Sequence, residues 1–250
     1  MRIISYNING IRAAIKKGFV NWLNKEKYDV VCLQEIKAHP EQFDVSEFEE
    51  LGYHCYWHPA QKKGYSGVAI LSKTKPKEVV FGCNNEEIDS EGRILSITIG
   101  DLSIMSCYFP SGTSGDLRQV FKMNFLDYFY KYIGQNKKNL IVSGDFNICH
   151  QAIDIHNPNV NKYSSGFLPE ERMWVSDFLE LGFIDSFRRL NPDPHNYTWW
   201  SYRANSRQNN KGWRIDYHML SNDLEKRVES AQILKSVIHS DHCPILLQLK

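Results

Sequence analysis

Ile94-Leu95-Ser96-Ile97-Thr98-Ile99-Gly100-Asp101-Leu102-Ser103-Ile104-Met105-Ser106-Cys107-Tyr108 is the stretch that decides the fold. Two apolar, β-branched runs flank Gly100-Asp101, a dipeptide suited to a hairpin turn, so at least part of the sheet is antiparallel. Further strands are expected over Ile3–Ile8, Val30–Gln34, His54–His58, Val68–Leu71, Leu140–Ser143, Arg214–Leu220 and Pro244–Leu249. Each is a short apolar run bounded by turn residues. Helices are fewer. Ile15, Phe19, Trp22 and Leu23 keep helical spacing, as do Leu117, Phe121, Phe125 and Phe129. Pro169-Glu170-Glu171 opens a third helix with Met173, Trp174, Phe178 and Leu181 as its apolar stripe and Gly182 as its stop. Strands that outnumber helices along the whole length fit two packed sheets flanked by helices better than a single parallel sheet.

The chain has 250 residues, 42% hydrophobic and 13% aromatic, enough to bury a substantial core as one large domain sooner than as two small ones. No linker, low-complexity tract or close repeat interrupts it, and a single domain over residues 1–250 is expected. A net charge of +1 gives no electrostatic sign of a polyanionic partner, which would have to meet a local patch. No apolar run approaches the roughly 18 residues of a membrane span. The strand-like Arg2–Tyr6 begins directly after Met1 and leaves no room for a signal peptide. A cytoplasmic protein with no membrane partner is expected. The six cysteines are scattered without metal-type pairing and read as reduced core residues.

Chemistry gathers at strand ends. Leu140-Ile141-Val142 runs into Ser143-Gly144-Asp145-Phe146-Asn147, and strand alternation puts Asp145 and Asn147 on one face while Phe146 turns into the core. Taken alone, that reads equally well as an Asp/Asn turn. Asn7 and Asn9 share a face at the end of the first strand, Glu35 follows the apolar Val30–Leu33, Asp216 lies in Arg214–His218, and Asp241-His242 introduces the last strand. Carboxylates with Asn suit a hard cation such as magnesium, and the lack of clustered Cys/His argues against structural zinc. Such a cation polarises a phosphoryl oxygen. An imidazolium held by a carboxylate stabilises growing charge, and a remaining carboxylate can deprotonate a water for in-line attack. Together these are the parts of a phosphodiesterase.

Six segments carry a resemblance: Asn7-Ile8-Asn9-Gly10-Ile11-Arg12-Ala13, Leu33-Gln34-Glu35-Ile36-Lys37, Tyr108-Phe109-Pro110, Gly144-Asp145-Phe146-Asn147, Gly212-Trp213-Arg214-Ile215-Asp216-Tyr217 and Ser240-Asp241-His242-Cys243-Pro244. In this order they resemble the exonuclease III family of abasic-site DNA endonucleases, within the endonuclease/exonuclease/phosphatase superfamily. The resemblance implies a deoxyribonuclease I-like fold, a four-layer α/β (α+β) sandwich of two mixed β-sheets. It implies a magnesium-dependent DNA repair nuclease, with manganese as a substitute cation, that cuts the phosphodiester 5′ to an abasic site and leaves a 3′ hydroxyl. Exonuclease (3′–5′) and 3′-phosphatase or 3′-phosphodiesterase activities are expected beside it.

The resemblance also implies roles. Glu35 would be the principal metal ligand, with Asn7 beside it, Asp241 near or on the ion, and Asp145 and Asn147 completing the set. Asp145 would also hold or activate the attacking water, and Asn147 would help place water and phosphate. His242, oriented by Asp216, would contact the phosphate. Tyr108 would bond the phosphate as a phenol, or as a phenolate near the leaving group. Trp199 and Trp213 match positions that wall the pocket for a flipped-out baseless sugar, whose extrusion is cheap because it is already unstacked. Arg203, Asn161 and Asn205 would contact DNA from the loops 154–167 and 197–214. The cationic side chains of the second loop, Arg203, Arg207 and Lys211, can neutralise backbone phosphates. The expected partner is double-stranded DNA with abasic sites or 3′ ends, bound by a monomer.

Two departures stand out. Asn9 occupies a place where some relatives carry a metal-binding Asp, and Ser111-Gly112-Thr113 replaces an Asn or Gln after the Tyr-x-Pro step. Two alternatives accompany the nuclease reading. One is a phosphoesterase of the same superfamily acting on RNA or a small phosphorylated headgroup. The other is a non-catalytic DNA-binding protein on the same fold.

Overall fold

The computed structural model describes residues 1–135 and 137–250. Two six-stranded sheets pack face to face. In spatial order the first holds β11 (Val228–Ile233), β12 (Ile245–Leu249), β1 (Arg2–Asn7), β2 (Val30–Gln34), β4 (Val68–Ser72) and β3 (His54–His58). The second holds β5 (Glu78–Phe81), β6 (Ile94–Ile99), β7 (Leu102–Tyr108), β8 (Leu140–Asp145), β10 (Asp216–Ser221) and β9 (Phe183–Asp185). The hairpin Ile94–Tyr108 forms as expected, with Ile99 opposite Leu102.

The β1–β2 and β7–β8 pairs are parallel, and the other ladders are antiparallel. Read as β3-β4-β2-β1-β12-β11 and β5-β6-β7-β8-β10-β9, the two sheets repeat one pattern of pairings. Their parallel pairs face each other across the sandwich, where β1 lies against β8 and β2 against β7. Four strands therefore finish at the same edge. The antiparallel neighbours β10 and β12 begin there.

Burial on both faces explains why the central strands β2 and β4 are apolar almost throughout. Ile3 and Val30 face the opposite sheet with Ile104, Ile141 and Leu247, whereas the adjacent Ile4 and Val31 face outward. There they meet Phe19 and Leu23 of α2 (Phe19–Glu26), which with α1 (Ile11–Lys16) and α3 (Ser46–Glu49) covers the first sheet. The chain then adds α4 (Glu86–Ser90), α5 (Asp116–Gln135), α6 (Pro158–Asn161), α7 (Pro169–Glu180) and α8 (Ser186–Leu190). Phe125 and Phe129 of α5, with Trp174 and Phe178 of α7, cover Met105, Val142 and Met219 of the second sheet. Each such aromatic contributes on the order of 1.5–3 kcal/mol by burial. The result is four layers, helix, sheet, sheet, helix.

Several expectations change in detail. The spacing Ile15 to Leu23 is interrupted by Gly18 in the left-handed region (φ 88°), giving two short helices rather than one. The stripes are narrower than expected, because Leu117 is 87% and Met173 62% exposed. The last strand of the second sheet to be read, Arg214–Leu220, begins only at Asp216, since Trp213 instead bridges to Trp199. Three edge strands, Glu78–Phe81, Phe183–Asp185 and Val228–Ile233, lie outside the expected set: the first has only three apolar residues in a row, the second is three residues long, and the third mixes polar with apolar residues.

A histidine joins the two sheets. His218 on β10 is buried, with Nδ1 bonded to Ser143 Oγ at 2.7 Å and Nε2 at 3.1 Å from the carbonyl of Ile245 on β12. Burial pushes its pKa down to about 4. The unfolded chain, with an ordinary imidazole, takes up a proton that the folded chain refuses. The stability His218 supports is therefore complete above about pH 6.5 and is lost as pH falls toward 4, by roughly 3 kcal/mol. Thermal melts of wild type and His218→Gln at pH 7 and pH 5 should show a shallower acid loss in the variant. Parallel losses would rule the assignment out.

Candidate active site

The shared edge of the two sheets brings the chemistry together. β1 ends at Asn7, β2 runs into Glu35, β7 ends at Tyr108, β8 ends at Asp145, and β10 starts at Asp216 directly opposite Asp145. His242 lies three residues before β12. β8 reaches this edge through Gly144, where a Cβ would lie 1.9 Å from the carbonyl oxygen of Cys107; only glycine lets the β7 and β8 chains close up. Glu35 and Asn147 adopt left-handed backbone (φ 51° and 52°), a conformation costing about 1 kcal/mol or more for residues with a Cβ. Glu35 is held there by bonds from Gly10 N–H to its carbonyl (2.7 Å) and from Ile36 N–H to Gly67 (3.1 Å).

The side chains form a connected set. Asn7 Nδ2 donates to Glu35 Oε1 (2.8 Å) and Asp145 Oδ2 (2.9 Å), holding the two carboxylates side by side. Asp145 Oδ1 accepts the Asn147 N–H at 2.8 Å, and Asn147 Nδ2 donates to the Phe109 carbonyl at 2.9 Å. His242 Nε2 lies 3.9 Å from Asp145 Oδ2, while its Nδ1 pairs with Asp216 Oδ2 at 2.9 Å. Phe146, as expected, is buried in the core.

Burial and neighbours push these groups in different directions. Burial, reinforced by Asp216, lifts Asp145 to about 7, against the pull of His242. Burial opposes charge on His242, but the contact with Asp216 outweighs it and raises the imidazole to about 10. At neutral pH His242 is an imidazolium beside a carboxyl poised to give or take a proton. Burial would also raise Glu35, yet Lys37 at 2.6 Å and the Asn7 amide bring it below the usual carboxylate range. Tyr108 is raised well above its ordinary value by burial and by Glu35, which makes it a neutral phenol here rather than a phenolate. Beneath it, the buried Arg93 donates to the Tyr108 carbonyl and lies 4.8 Å from its ring.

Glu35, Asp145 and His242 offer ligand-type atoms within 4.8 Å of one another. With His242 protonated, the available ligands are carboxylate oxygens. That donor set fits magnesium, which binds through one or two carboxylates and keeps several waters. Asp241 stands apart from this group: Oδ1 accepts from Asn9 Nδ2 (2.9 Å) and Oδ2 from the Trp199 indole (3.0 Å). It links the acidic centre to an aromatic wall.

That wall belongs to a cleft of about 780 Å³, with the acidic cluster on its floor. Trp199 and Trp213 lie edge to face, 6.1 Å apart, and exchange two main-chain hydrogen bonds of 2.9 Å. Ile215 and Leu168 extend the apolar lining, and Tyr163 and Gln119 lie among the residues that complete it. Trp200 is buried core. Of the residues expected at DNA, Arg203 and Asn205 are exposed on the 197–213 loop and are not part of the cleft lining. Asn161 Nδ2 is engaged by the carbonyls of His156 and Asn157 in its own turn.

Two features of the site escaped the sequence reading. One is Lys37, which bridges Glu35 and Asn9 Oδ1, each at 2.6 Å. The other is a fully buried pair behind Asn147: Lys122 Nζ meets Glu171 Oε1 at 2.7 Å and donates to the Asn147 carbonyl at 2.9 Å. Glu171 Oε2 in turn accepts the N–H groups of Gly166 (2.6 Å) and Leu168 (3.1 Å) on the cleft wall.

Comparison with known proteins adds relatives. The sequence profile described as the Endonuclease/Exonuclease/phosphatase family matches residues 4–242. An exodeoxyribonuclease of Bacillus subtilis (strain 168) is 42% identical over 251 residues, covering 99% of this chain and 98% of that protein. The DNA repair nuclease APEX1 of Danio rerio is 40% identical, covering 100% of this chain and 82% of its own. Among solved structures, an AP endonuclease from Archaeoglobus fulgidus superposes with a TM-score of 0.93 at 28% identity, over 100% of this chain and 99% of that one.

Proposed function

The chain belongs to the endonuclease/exonuclease/phosphatase family, and from that premise we propose that it is a magnesium-dependent DNA repair nuclease that cuts 5′ to abasic sites and also trims or dephosphorylates 3′ ends. The observation that carries this reading is the juxtaposition of an acidic cluster, a charged histidine and a two-tryptophan wall in one cleft. Its relatives are an exodeoxyribonuclease, a DNA repair nuclease and an AP endonuclease by name.

Magnesium held by Glu35 and Asp145 would polarise the scissile phosphoryl group and offset its growing negative charge. Asp145, oriented by the Asn7 amide and the Asn147 N–H, takes a proton from the water that attacks phosphorus in line. His242, kept protonated by Asp216, donates a hydrogen bond to a phosphoryl oxygen as charge develops there. Asn147, fixed by Phe109 and Asp145, places water and phosphate, and the Tyr108 phenol donates to the phosphate rather than acting as a base. The bond to the 3′ oxygen of the preceding nucleotide breaks, leaving a 3′ hydroxyl and a 5′ phosphate on the abasic residue. Trp199 and Trp213 receive that residue, where a missing base leaves room that a nucleotide would fill. One chain supplies every residue of the cleft, so a monomer suffices. Six free thiols, five of them buried, suit the reducing cytoplasm.

End-labelled duplexes with an abasic site, a 3′ phosphate or no lesion, incubated with magnesium or with chelator, test the proposal. Cleavage at the abasic site that depends on the cation is expected; a chelator-insensitive or absent product would defeat it. Trp213→Ala separates DNA repair from a small-headgroup phosphoesterase. Abasic cleavage should fall about 100-fold, while hydrolysis of bis-p-nitrophenyl phosphate should change by less than about threefold. Equal losses on both substrates would remove Trp213 from the pocket for the baseless sugar.

A further inference from the structure

His242 reaches the phosphate from a loop with little regular structure. Residues 234–244 join β11 to β12, and the loop meets the 197–213 segment through bonds from Trp200 N–H to the Asp241 carbonyl (3.1 Å) and from Cys243 N–H to the Thr198 carbonyl (2.7 Å). Besides these bonds, four carbonyls of the loop converge on a single side chain. Arg207 Nη2 donates to Lys235 (3.0 Å) and Val237 (2.6 Å), and Nη1 donates to Ser240 (2.9 Å) and, more weakly, His242 (3.4 Å). Its guanidinium lies 4.8 Å from the ring centre of the buried Trp200, which fixes its position from one side.

We propose that Arg207 is a positioning residue for the reaction: it fixes the loop that presents Asp241 and His242, and it does not bind DNA. This rests on the nuclease reading above. An arginine carries five N–H donors, four of them on the two terminal nitrogens, and here those four are taken by loop carbonyls. A phosphate could claim them only by dismantling the loop. Lysine cannot replace this fork, because a single ammonium reaches fewer acceptors and does not stack flat on an indole. The composition of the 197–213 segment suggests a phosphate contact at this position, and the geometry turns the side chain the other way.

The test compares wild type with Arg207→Gln and Arg207→Lys, using an abasic duplex. Positioning predicts single-turnover cleavage reduced about 10- to 100-fold in the Gln variant and less in the Lys variant. The duplex Kd and its dependence on salt should stay within about twofold of wild type. A phosphate contact would instead weaken binding and lower the salt slope by about one, with the chemical rate preserved. That result overturns the proposal, as does a Gln variant that only melts earlier while cleaving at the wild-type rate. Amide hydrogen exchange gives a readout independent of activity: residues 235–243 should exchange faster in Arg207→Gln while α5 is unchanged. Unaltered protection of that loop sinks the inference even if wild type fails to cut abasic DNA, a failure that would strike the nuclease reading alone.

Discussion

Asp145→Asn is expected to lower the single-turnover rate of abasic-site cleavage by roughly 1,000-fold or more, with the fold intact. A general base commonly accounts for about 100- to 10,000-fold. Asp145 is also one of two carboxylates available to the cation, so its loss removes both contributions. The amide keeps an oxygen to accept the Asn147 N–H, but it has no proton-accepting function toward water. Stability should hold. Asp145 has its pKa raised to about 7 by burial and by Asp216, so its ionisation works against folding above the ordinary carboxylate range. Removing that charge relieves this penalty, while the new amide NH2 meets the Asn7 and Asn147 donors that Asp145 Oδ2 accepted, so the melting temperature should stay close to wild type. Thermal melting and single-turnover kinetics on the same preparation decide the matter. Activity within tenfold of wild type would eliminate Asp145 as the base.

Lys122→Met should destabilise the protein by about 3–5 kcal/mol. Both partners of the Lys122–Glu171 pair are fully buried, and methionine leaves the Glu171 carboxylate without its counter-ion. It also strips the Asn147 carbonyl of a donor. A loss of this size lowers the melting temperature by roughly 10 °C in a chain of this length. The double variant Lys122→Met/Glu171→Gln should recover part of it, because no charge is then stranded. If the single and double variants melt together, the pair is not what stabilises this corner.

Much of the fold could be read in the sequence wherever local chemistry and tertiary burial agree. Val30–Gln34, Ile94–Ile99 and Leu102–Tyr108 form over their expected bounds because both faces of these strands are covered and a two-residue turn sets the hairpin. Val228–Ile233 and Glu78–Phe81 could not be read so. Edge strands bury less: Val228–Ile233 mixes polar with apolar residues, and Glu78–Phe81 is a short run whose side chains stay largely exposed. Strand-end polar residues pointed to the centre itself, since Asn7, Glu35, Asp145, Asp216 and His242 do converge.

Direction was the missing information. Nothing in the 197–213 composition distinguishes an arginine aimed at solvent from Arg207 aimed at four carbonyls, because the partners lie about thirty residues away. Asp241 likewise has its oxygens occupied by Asn9 and Trp199, contacts created only by closure of the sandwich. Lys122 did leave a trace. It shares the helical spacing of Leu126, Phe129 and Ile133, a lysine in phase with a buried stripe, and such a lysine needs a buried partner.

The strand order also bears on how the molecule is made. The second sheet draws its strands from one continuous stretch, 78–221, whereas the first joins 2–72 to 228–249 through the β1–β12 ladder. On the ribosome the second sheet can assemble while the first still lacks two of its strands. Pairings across such separations form late. His242 arrives with that final segment. A nascent chain that already holds Glu35 and Asp145 therefore lacks the imidazole paired with Asp216 until the segment that closes the first sheet is in place.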